Sequence, residues 1–328
     1  MVQLSPHRIC VKHNLPGCQH STGGIMTYEE FKQQLVTSLR ELFPAGTCIT
    51  IRPFSHNNHI LLDGLTILEP GSNVSPAIYL NHYYESYQQG TSFSALQSCI
   101  LRYYYEHCSV RTVDTSFFTC FENIRSRIVY KLIHYEKNRE LLKEVPHLPW
   151  MDLAIVFYCL IQERSGKNAS IPIFHEHLDY WNISVDTLFS LARQNTPLLL
   201  SFCCDSLADL IFPVLDVLPE EERRSAQDTL ISESVPMYVL TNHLRLNGAC
   251  CILYQDALKQ VSDQLRDSLY ILPSSVHEVI AIPASHAGNP GELPRIVGEI
   301  NLAEVSPEEI LSDRVYFYDR SSRRLSLY

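Results

Sequence analysis

The chain has 328 residues, of which 45% are apolar and 19% charged, and its formal net charge is −10 at neutral pH. This length allows a sizeable core in one large domain or in two domains. The acidic balance disfavours binding to nucleic acid or to an anionic membrane surface, because both depend on clustered basic residues. No uninterrupted apolar run is long enough to span a bilayer as a helix. We therefore expect neither a nucleic-acid partner nor a membrane partner.

Residues 1–25 differ in composition from the rest of the chain. They contain Cys10, Cys18 and scattered histidines, which are zinc-ligand types, but their spacing is unlike that of a zinc site. Met26 directly precedes Thr27 and Glu30, which have the spacing of a helix capping box. We expect residues 1–25 to form a disordered tail or to lie upstream of the true start.

Residues 26–110 are predicted to form a first lobe. A helix over Thr27–Phe43 precedes two strands, Thr47–Pro53 and His59–Leu68, and two further helical segments follow, the second of which ends near His107. This lobe is rich in tyrosine, and the tyrosines fit either aromatic packing or a protein-contact surface. They are Tyr83, Tyr84, Tyr87, Tyr103, Tyr104 and Tyr105.

Residues 111–328 are predicted to form a larger mixed lobe. Met151–Gln162 has the length and β-branched content of a strand. Ser184 is expected to cap a helix that ends near Asn195, because Pro197 follows. Near the end of the chain we expect helices over 291–302 and 307–311, and then a hairpin formed by 315–319 and 324–328.

The stretch Met237–Pro283 is expected to form the core sheet of this lobe. Two apolar runs flank the turn dipeptide Asn247-Gly248, and a helix that Asp256 is expected to cap is followed by two more apolar runs. The predicted order of strand, strand, helix, strand, strand is an α+β unit. The fold predicted for the whole chain is therefore α+β, with mixed sheets, helices packed on them, and two lobes.

His175 and His177 are candidate metal ligands. Alternate residues of a strand share a face, so these two side chains could chelate an ion together. The sequence supplies no third ligand at a fixed spacing, however, and a solvated loop explains the pair better than a metal site does. We therefore predict no metal site and no cofactor, and the absence of any Gly-rich phosphate loop agrees with this expectation.

The polar loop over 273–278 is the candidate site. Ser274, Ser275, His277 and Glu278 combine hydroxyl, imidazole and carboxylate groups, and Asn242 ends the strand before the Asn247-Gly248 turn. A hydrolase could use such groups, although the members of a catalytic triad come from distant segments and no GxSxG motif occurs here. We favour the alternative, a polar turn between strands whose serines bond to the local backbone.

Several long sequence phrases together resemble a known family. They include TYEEFKQQL from Thr27, YVLTNHLRLNGACCILY from Tyr238 and LYILPSSVHEVIAIP from Leu269. With SDRVYFYD near the end, they resemble the bacterial, Clostridia-type family called domain of unknown function 5688, over about 26–319. From Arg127 onward the order of elements is more distantly similar to domain of unknown function 1444. Neither resemblance implies an activity, a cofactor or site residues.

These observations favour a non-enzymatic protein that binds a protein partner or a small ligand. The alternative is a hydrolase-like enzyme with its site at the 273–278 loop. The 11 cysteines are an odd number and include no Cys-x-x-Cys pair, and most of them lie in apolar runs, as expected for reduced thiols. We accordingly expect a cytoplasmic protein.

Overall fold

The computed structural model describes residues 3–4, 26–73, 75–108, 118–162, 168–215, 220 and 235–328. Apart from the short strand Gln3–Leu4, the predicted tail over 1–25 lies outside the described residues. The chain divides into two compact units. Unit 1 comprises residues 1–56, 61–119 and 160–171, and unit 2 comprises 57–60, 120–159 and 172–328.

The described part of the chain contains both strands and helices. The strands are β1 (Gln3–Leu4), β2 (Cys48–Ser55), β3 (Leu61–Leu68), β4 (Ile78–Tyr79), β5 (Ile128–His134), β6 (His147–Trp150), β7 (Leu153–Gln162), β8 (Asn168–Pro172), β9 (Phe202–Ser206), β10 (Tyr238–Asn242), β11 (Leu269–Leu272), β12 (Val279–Pro283), β13 (Tyr316–Asp319) and β14 (Arg324–Leu327). The helices are α1 (Tyr28–Leu42), α2 (Asn81–Gln88), α3 (Phe93–His107), α4 (Phe121–Ile124), α5 (Arg139–Glu144), α6 (His175–Trp181), α7 (Val185–Leu199), α8 (Leu207–Leu215), α9 (Ala257–Leu265) and α10 (Leu293–Glu304). The predicted α+β class is confirmed. No helix in the described ranges is long and apolar enough to cross a membrane.

Unit 1 packs three helices around an antiparallel sheet of order β2-β3-β4. The predicted capping box of α1 is present, because Thr27 and Glu30 exchange side-chain-to-backbone hydrogen bonds. Phe31, Leu35 and Leu39 recur on one face of α1 and are fully buried in the core. The predicted hairpin of β2 and β3 is confirmed over eight paired residues of each strand.

Unit 2 is built around a six-stranded antiparallel sheet of order β14-β13-β11-β12-β10-β9. α10 packs on this sheet through Leu293 and Val297, which lie four residues apart and are buried against Tyr270, Leu272 and Ile282. The predicted strands at 269–272 and 279–282, the helix at 257–265 and the closing hairpin are all present. β9, which the sequence did not predict, extends the sheet beyond β10.

A second antiparallel arrangement in unit 2 pairs β7 with both β5 and β6. The predicted strand at Met151–Gln162 is confirmed as β7, while β5 and β6 were not predicted. α7 covers the outer edge of β5: Asn195 Nδ2 donates to the carbonyl of Ile128 at 3.0 Å, and Thr196 Oγ1 accepts from the N–H of Tyr130 at 3.2 Å. Two of the edge groups of β5 are thereby satisfied.

Three predicted elements are wrong. Residues 249–254 do not form a strand: Gly248–Leu253 is a 3₁₀ helix, because both edges of β10 are already paired, with β9 and with β12. Pro197 lies inside α7 rather than ending it. Residues 307–309 form a turn instead of a helix, and Asn58 Nδ2 donates to the carbonyls of Pro307 and Ile310 at 2.8 and 2.7 Å.

Candidate functional site

The structure brings the loops after β10 and β11 together, and they contain the residues singled out from the sequence. Asn242 is fully buried at the end of β10. Its Oδ1 accepts hydrogen bonds from the N–H groups of Leu244 (3.1 Å) and Leu246 (3.3 Å), and its Nδ2 donates to the carbonyl of Leu246 (2.8 Å). The Asn242 amide therefore stabilises its own turn and presents no surface to a ligand.

His277 links this turn to the loop after β11. Its Nδ1 accepts a hydrogen bond from the N–H of Asn247 at 3.2 Å, which fixes the proton of the neutral ring on Nε2. Nε2 faces Glu309 Oε1 at 3.5 Å. The carbonyl of His277 accepts from Thr241 Oγ1 at 2.7 Å. Both ring nitrogens therefore face groups of the protein itself.

The two serines are not placed as a nucleophile beside a base. Ser275 is buried, and its Oγ accepts from the backbone N–H of His277 at 3.0 Å without contacting the ring. Ser274 accepts a hydrogen bond from the N–H of Leu311 through its own carbonyl at 2.9 Å. Glu278 is half-buried and makes no side-chain hydrogen bond or ion pair within the described residues. This loop matches the alternative of a turn held by local bonds.

The premise for metal binding at His175 and His177 is wrong, because these residues begin the helix α6 rather than following each other along a strand. Residues two apart on a helix do not share a face. His177 Nδ1 accepts from the N–H of Phe174 at 2.9 Å, and burial lowers the pKa of this imidazole. Within the described ranges, no group of three or more His, Cys, Asp or Glu side chains could hold a metal ion.

The tyrosines of unit 1 are mostly packing residues. Tyr104 is fully buried, and Tyr84 and Tyr87 are half-buried against Phe31 in α1. Of the tyrosines named above, only Tyr105 is exposed, and its ring stacks on Phe43. The structure therefore favours aromatic packing over a protein-contact surface for this group.

A cleft of about 420 Å³ in unit 2 lies at the beginning of α9. This volume is in the range of small-ligand sites. Three segments of the chain form its walls: the end of α7, the first residue of β9, and the segment 254–263, which leads into α9 and includes its first two turns. The lining residues are Pro197, Phe202, Tyr254, Gln255, Asp256, Ala257, Lys259, Gln260 and Asp263.

The cleft combines an apolar wall with a polar mouth. Pro197 and Phe202 are half-buried, and Tyr254 is held in place because its hydroxyl donates to the carbonyl of Leu200 at 2.9 Å. Lys259 is paired with Asp263, with 2.9 Å between Nζ and Oδ2. Five of the nine lining residues are polar or charged, and the other four supply the apolar part of the lining.

Asp256 is the one acidic side chain of the cleft that has no partner within the described residues. It occupies the N-cap position of α9 with φ +65°, and its carboxylate makes no capping bond, contrary to the sequence prediction. It is exposed and has no hydrogen bond or ion pair in the described part of the chain. A negative charge therefore remains available at the mouth of the cleft.

Comparison with known proteins assigns the chain to a family. A family model described as "Family of unknown function (DUF5688)" matches residues 28–320. The chain belongs to this family. No curated protein and no solved structure matches it. The family match includes the loop network around His277 and every residue that lines the cleft.

Two features of this DUF5688 member were missed from the sequence. The cleft is assembled from segments that are distant along the chain, and Phe202 belongs to a strand that the pattern did not indicate. Lys131 lies on β5 opposite Val156, partly buried, without a hydrogen bond or ion pair in the described ranges. Burial lowers the pKa of this amine. A lysine inside an otherwise apolar strand was its only sequence signal.

Proposed function

We propose that this protein is a non-enzymatic binding protein, a protein-interaction module of the bacterial cytoplasm, and that the cleft at the beginning of α9 is its binding site. The cleft is the observation that carries the proposal. Its volume of about 420 Å³, its apolar residues Pro197 and Phe202, and the carboxylate of Asp256, which has no partner among the described residues, suit a ligand with an apolar body and a polar or cationic end.

The chemistry of the 273–278 loop supports a non-catalytic role. A general base needs a ring nitrogen that faces a substrate, and an activated serine needs contact with such a base. Nδ1 of His277 accepts from a backbone N–H, Nε2 faces Glu309, and Ser275 Oγ is bonded to a backbone N–H. These groups have structural roles already.

A cleft-filling variant tests the proposal. Gln260 is exposed on α9 and lines the cleft, so Gln260→Trp fills the cleft without altering the core. Gln264 is exposed on the same helix and does not line the cleft, so Gln264→Trp is the matched control. The three forms of the full chain are used to capture material from native lysate, and bound proteins and small molecules are identified by mass spectrometry.

The proposal expects a species that wild type and Gln264→Trp retain in stoichiometric amount and that Gln260→Trp loses. An identical set of retained species on all three forms would overturn the assignment of the cleft. Turnover of any substrate in a broad hydrolase panel, lost on His277→Gln, would overturn the non-enzymatic role and favour the alternative, an enzyme with its site at the 273–278 loop.

A further inference from the structure

β9 is an end strand of the six-stranded sheet. Its pairing with β10 determines which of its backbone groups point toward β10 and which point away from it. The N–H of His243 donates to the carbonyl of Ser201 at 3.0 Å, and the N–H of Leu207 donates to the carbonyl of Met237 at 2.9 Å. In an antiparallel ladder, residues alternate between bonding to the partner strand and pointing away from it. The N–H and C=O groups of Phe202, Cys204 and Ser206 therefore point outward from β10.

These outward groups have no backbone partner among the described residues, since no strand there pairs with the outer side of β9. The edge of β5 differs, because side chains of α7 bond to the carbonyl of Ile128 and to the N–H of Tyr130. β14 is also an end strand, but it contributes no residue to the cleft. Within the described residues β9 is thus an unpaired edge that adjoins a cleft, which is the arrangement of sheets that bind an extended peptide as an added strand.

The cleft lies where a side chain of the added strand would enter. Side chains of directly opposed residues point to the same face of a sheet. The backbone N–H and C=O of Phe202 point away from β10, and Phe202 also lines the cleft. The peptide residue opposite Phe202 therefore directs its side chain toward the cleft. Backbone pairing then supplies affinity, and the cleft supplies the choice of side chain.

Charge selects the class of side chain. Lys259 is paired with Asp263, with 2.9 Å between Nζ and Oδ2, whereas the exposed carboxylate of Asp256 has no hydrogen bond or ion pair in the described part of the chain. An arginine fits this combination, because its stem and guanidinium pack on aromatic faces such as Phe202 and its fork binds a carboxylate.

We propose that the outer edge of β9 binds an extended peptide as an additional antiparallel strand, with an arginine side chain of that peptide in the cleft. This inference rests on the proposed function and names the chemistry of its partner.

The test uses the full chain and a fluorescent peptide of sequence Thr-Val-Arg-Val-Thr with blocked ends. Binding is measured by fluorescence anisotropy. In the proposed register the N–H of the arginine bonds to β9, while the N–H groups of both valines point away. N-methylation of the arginine nitrogen should therefore weaken binding by roughly tenfold or more, whereas N-methylation of either valine should change it by less than about twofold.

Substitutions in the protein provide a second measurement. Cys204→Pro removes one outward N–H, and Leu327→Pro removes one from the other end strand, β14. Only Cys204→Pro should weaken binding. Asp256→Asn should weaken binding of the arginine peptide by about threefold and leave a norleucine peptide unchanged. Its control is Asp186→Asn, an exposed carboxylate about 16 Å along α7 from Pro197.

The outcomes separate this inference from the proposed function. Equal effects of N-methylation at the arginine and at the valines would overturn strand addition. A dimer that Cys204→Pro abolishes, without peptide binding, would assign the edge to a second copy of the chain and overturn the proposal. If no peptide binds but lysate material is still lost on Gln260→Trp, only this inference fails. If Gln260→Trp changes nothing, the proposed function fails as well.

Discussion

Nδ1 of His277 accepts a hydrogen bond from the backbone N–H of Asn247 at 3.2 Å. This single bond ties the loop after β11 to the turn after β10. Asn247 adopts φ +51°, a left-handed conformation that asparagine tolerates better than most residues, and this conformation directs its N–H toward the ring. The histidine that looked catalytic from the sequence thus acts as a bridge between two loops.

Removal of this acceptor should destabilise the protein. His277→Ala leaves the N–H of Asn247 without its partner, and because both residues are half-buried we expect a loss of about 1 kcal/mol in the free energy of unfolding. In His277→Asn the side-chain oxygen can take the position of Nδ1, so the loss should be smaller. Urea unfolding of the three proteins measures the difference. Equal losses for the two variants would contradict the bridging role.

Gly248 is required by close packing. A Cβ at this position would lie 2.5 Å from the carbonyl oxygen of His277 and 2.8 Å from the N of Asn242, and it would also contact Thr241 Oγ1. Two of these atoms belong to the backbone and cannot rotate away. Gly248→Ala should therefore cost about 3 kcal/mol of unfolding free energy.

Gly298 provides a control, because we expect its substitution by alanine to raise stability instead of lowering it. It lies inside α10, and a Cβ there would meet no atom within 4 Å. Gly298→Ala should stabilise the protein by about 0.5–1 kcal/mol, because alanine restricts the unfolded chain and favours a helix. Thermal unfolding of both variants measures whether each substitution lowers or raises the stability of the protein. A tolerated Gly248→Ala would mean that the two loops can separate.

Local patterns predicted much of the fold. The capping box at Thr27, the hairpin of β2 and β3, and the helix α9 between β10 and β11 depend on residues close in sequence. The 3₁₀ helix Gly248–Leu253 could not be predicted in this way. Its residues are as apolar as those of a strand, and only the pairing of both edges of β10 excludes it from the sheet.

The candidate site could also be predicted only in part from the sequence. Asn242 and His277 were singled out together, and the structure places them in one loop network, where their bonds go to backbone groups. A residue type does not tell which backbone group it bonds, because φ and ψ of the loop decide that. The cleft brings Pro197 and Phe202 together with Asp256, which is far from both along the chain, and the three residues carry no shared motif.

Tyr316 is bound to a carboxylate in the interior of unit 2. Its hydroxyl donates to Asp152 Oδ1 at 2.6 Å, and Ser312 Oγ donates to Oδ2 at 2.6 Å. Burial, followed by the hydrogen bond to Asp152, raises the pKa of Tyr316. Tyr316→Phe should lose about 2 kcal/mol of unfolding free energy, because hydrogen bonds to charged groups are stronger than average.

Tyr318 is the matched control for this bond. It lies two residues further along β13 and is also buried, but its hydroxyl makes no hydrogen bond in the described part of the chain. Tyr318→Phe should change stability by less than about 0.5 kcal/mol. Guanidinium unfolding at pH 7 compares the two. Equal losses would assign the effect to packing of the ring instead of to Asp152.

Lys131 should destabilise the protein while it is charged. It is a partly buried amine without a hydrogen bond or ion pair in the described ranges, and burial lowers its pKa from the ordinary value of 10.5. Lys131→Met keeps the apolar stem and removes the charge, so it should raise the free energy of unfolding at pH 7 by about 1 kcal/mol. Lys143→Met, at an exposed lysine paired with Glu140, should have no comparable effect.

The pH dependence separates charge from packing. Because the folded-state pKa of Lys131 is below the unfolded value, the unfolded chain binds more protons between the two pKa values, and stability contributed by this residue rises with pH in that window. The advantage of Lys131→Met should therefore be complete below the folded pKa and shrink as the pH approaches 10.5. Urea unfolding from pH 7 to 10 measures this trend. An advantage that stays constant with pH would show that the methionine acts through packing alone.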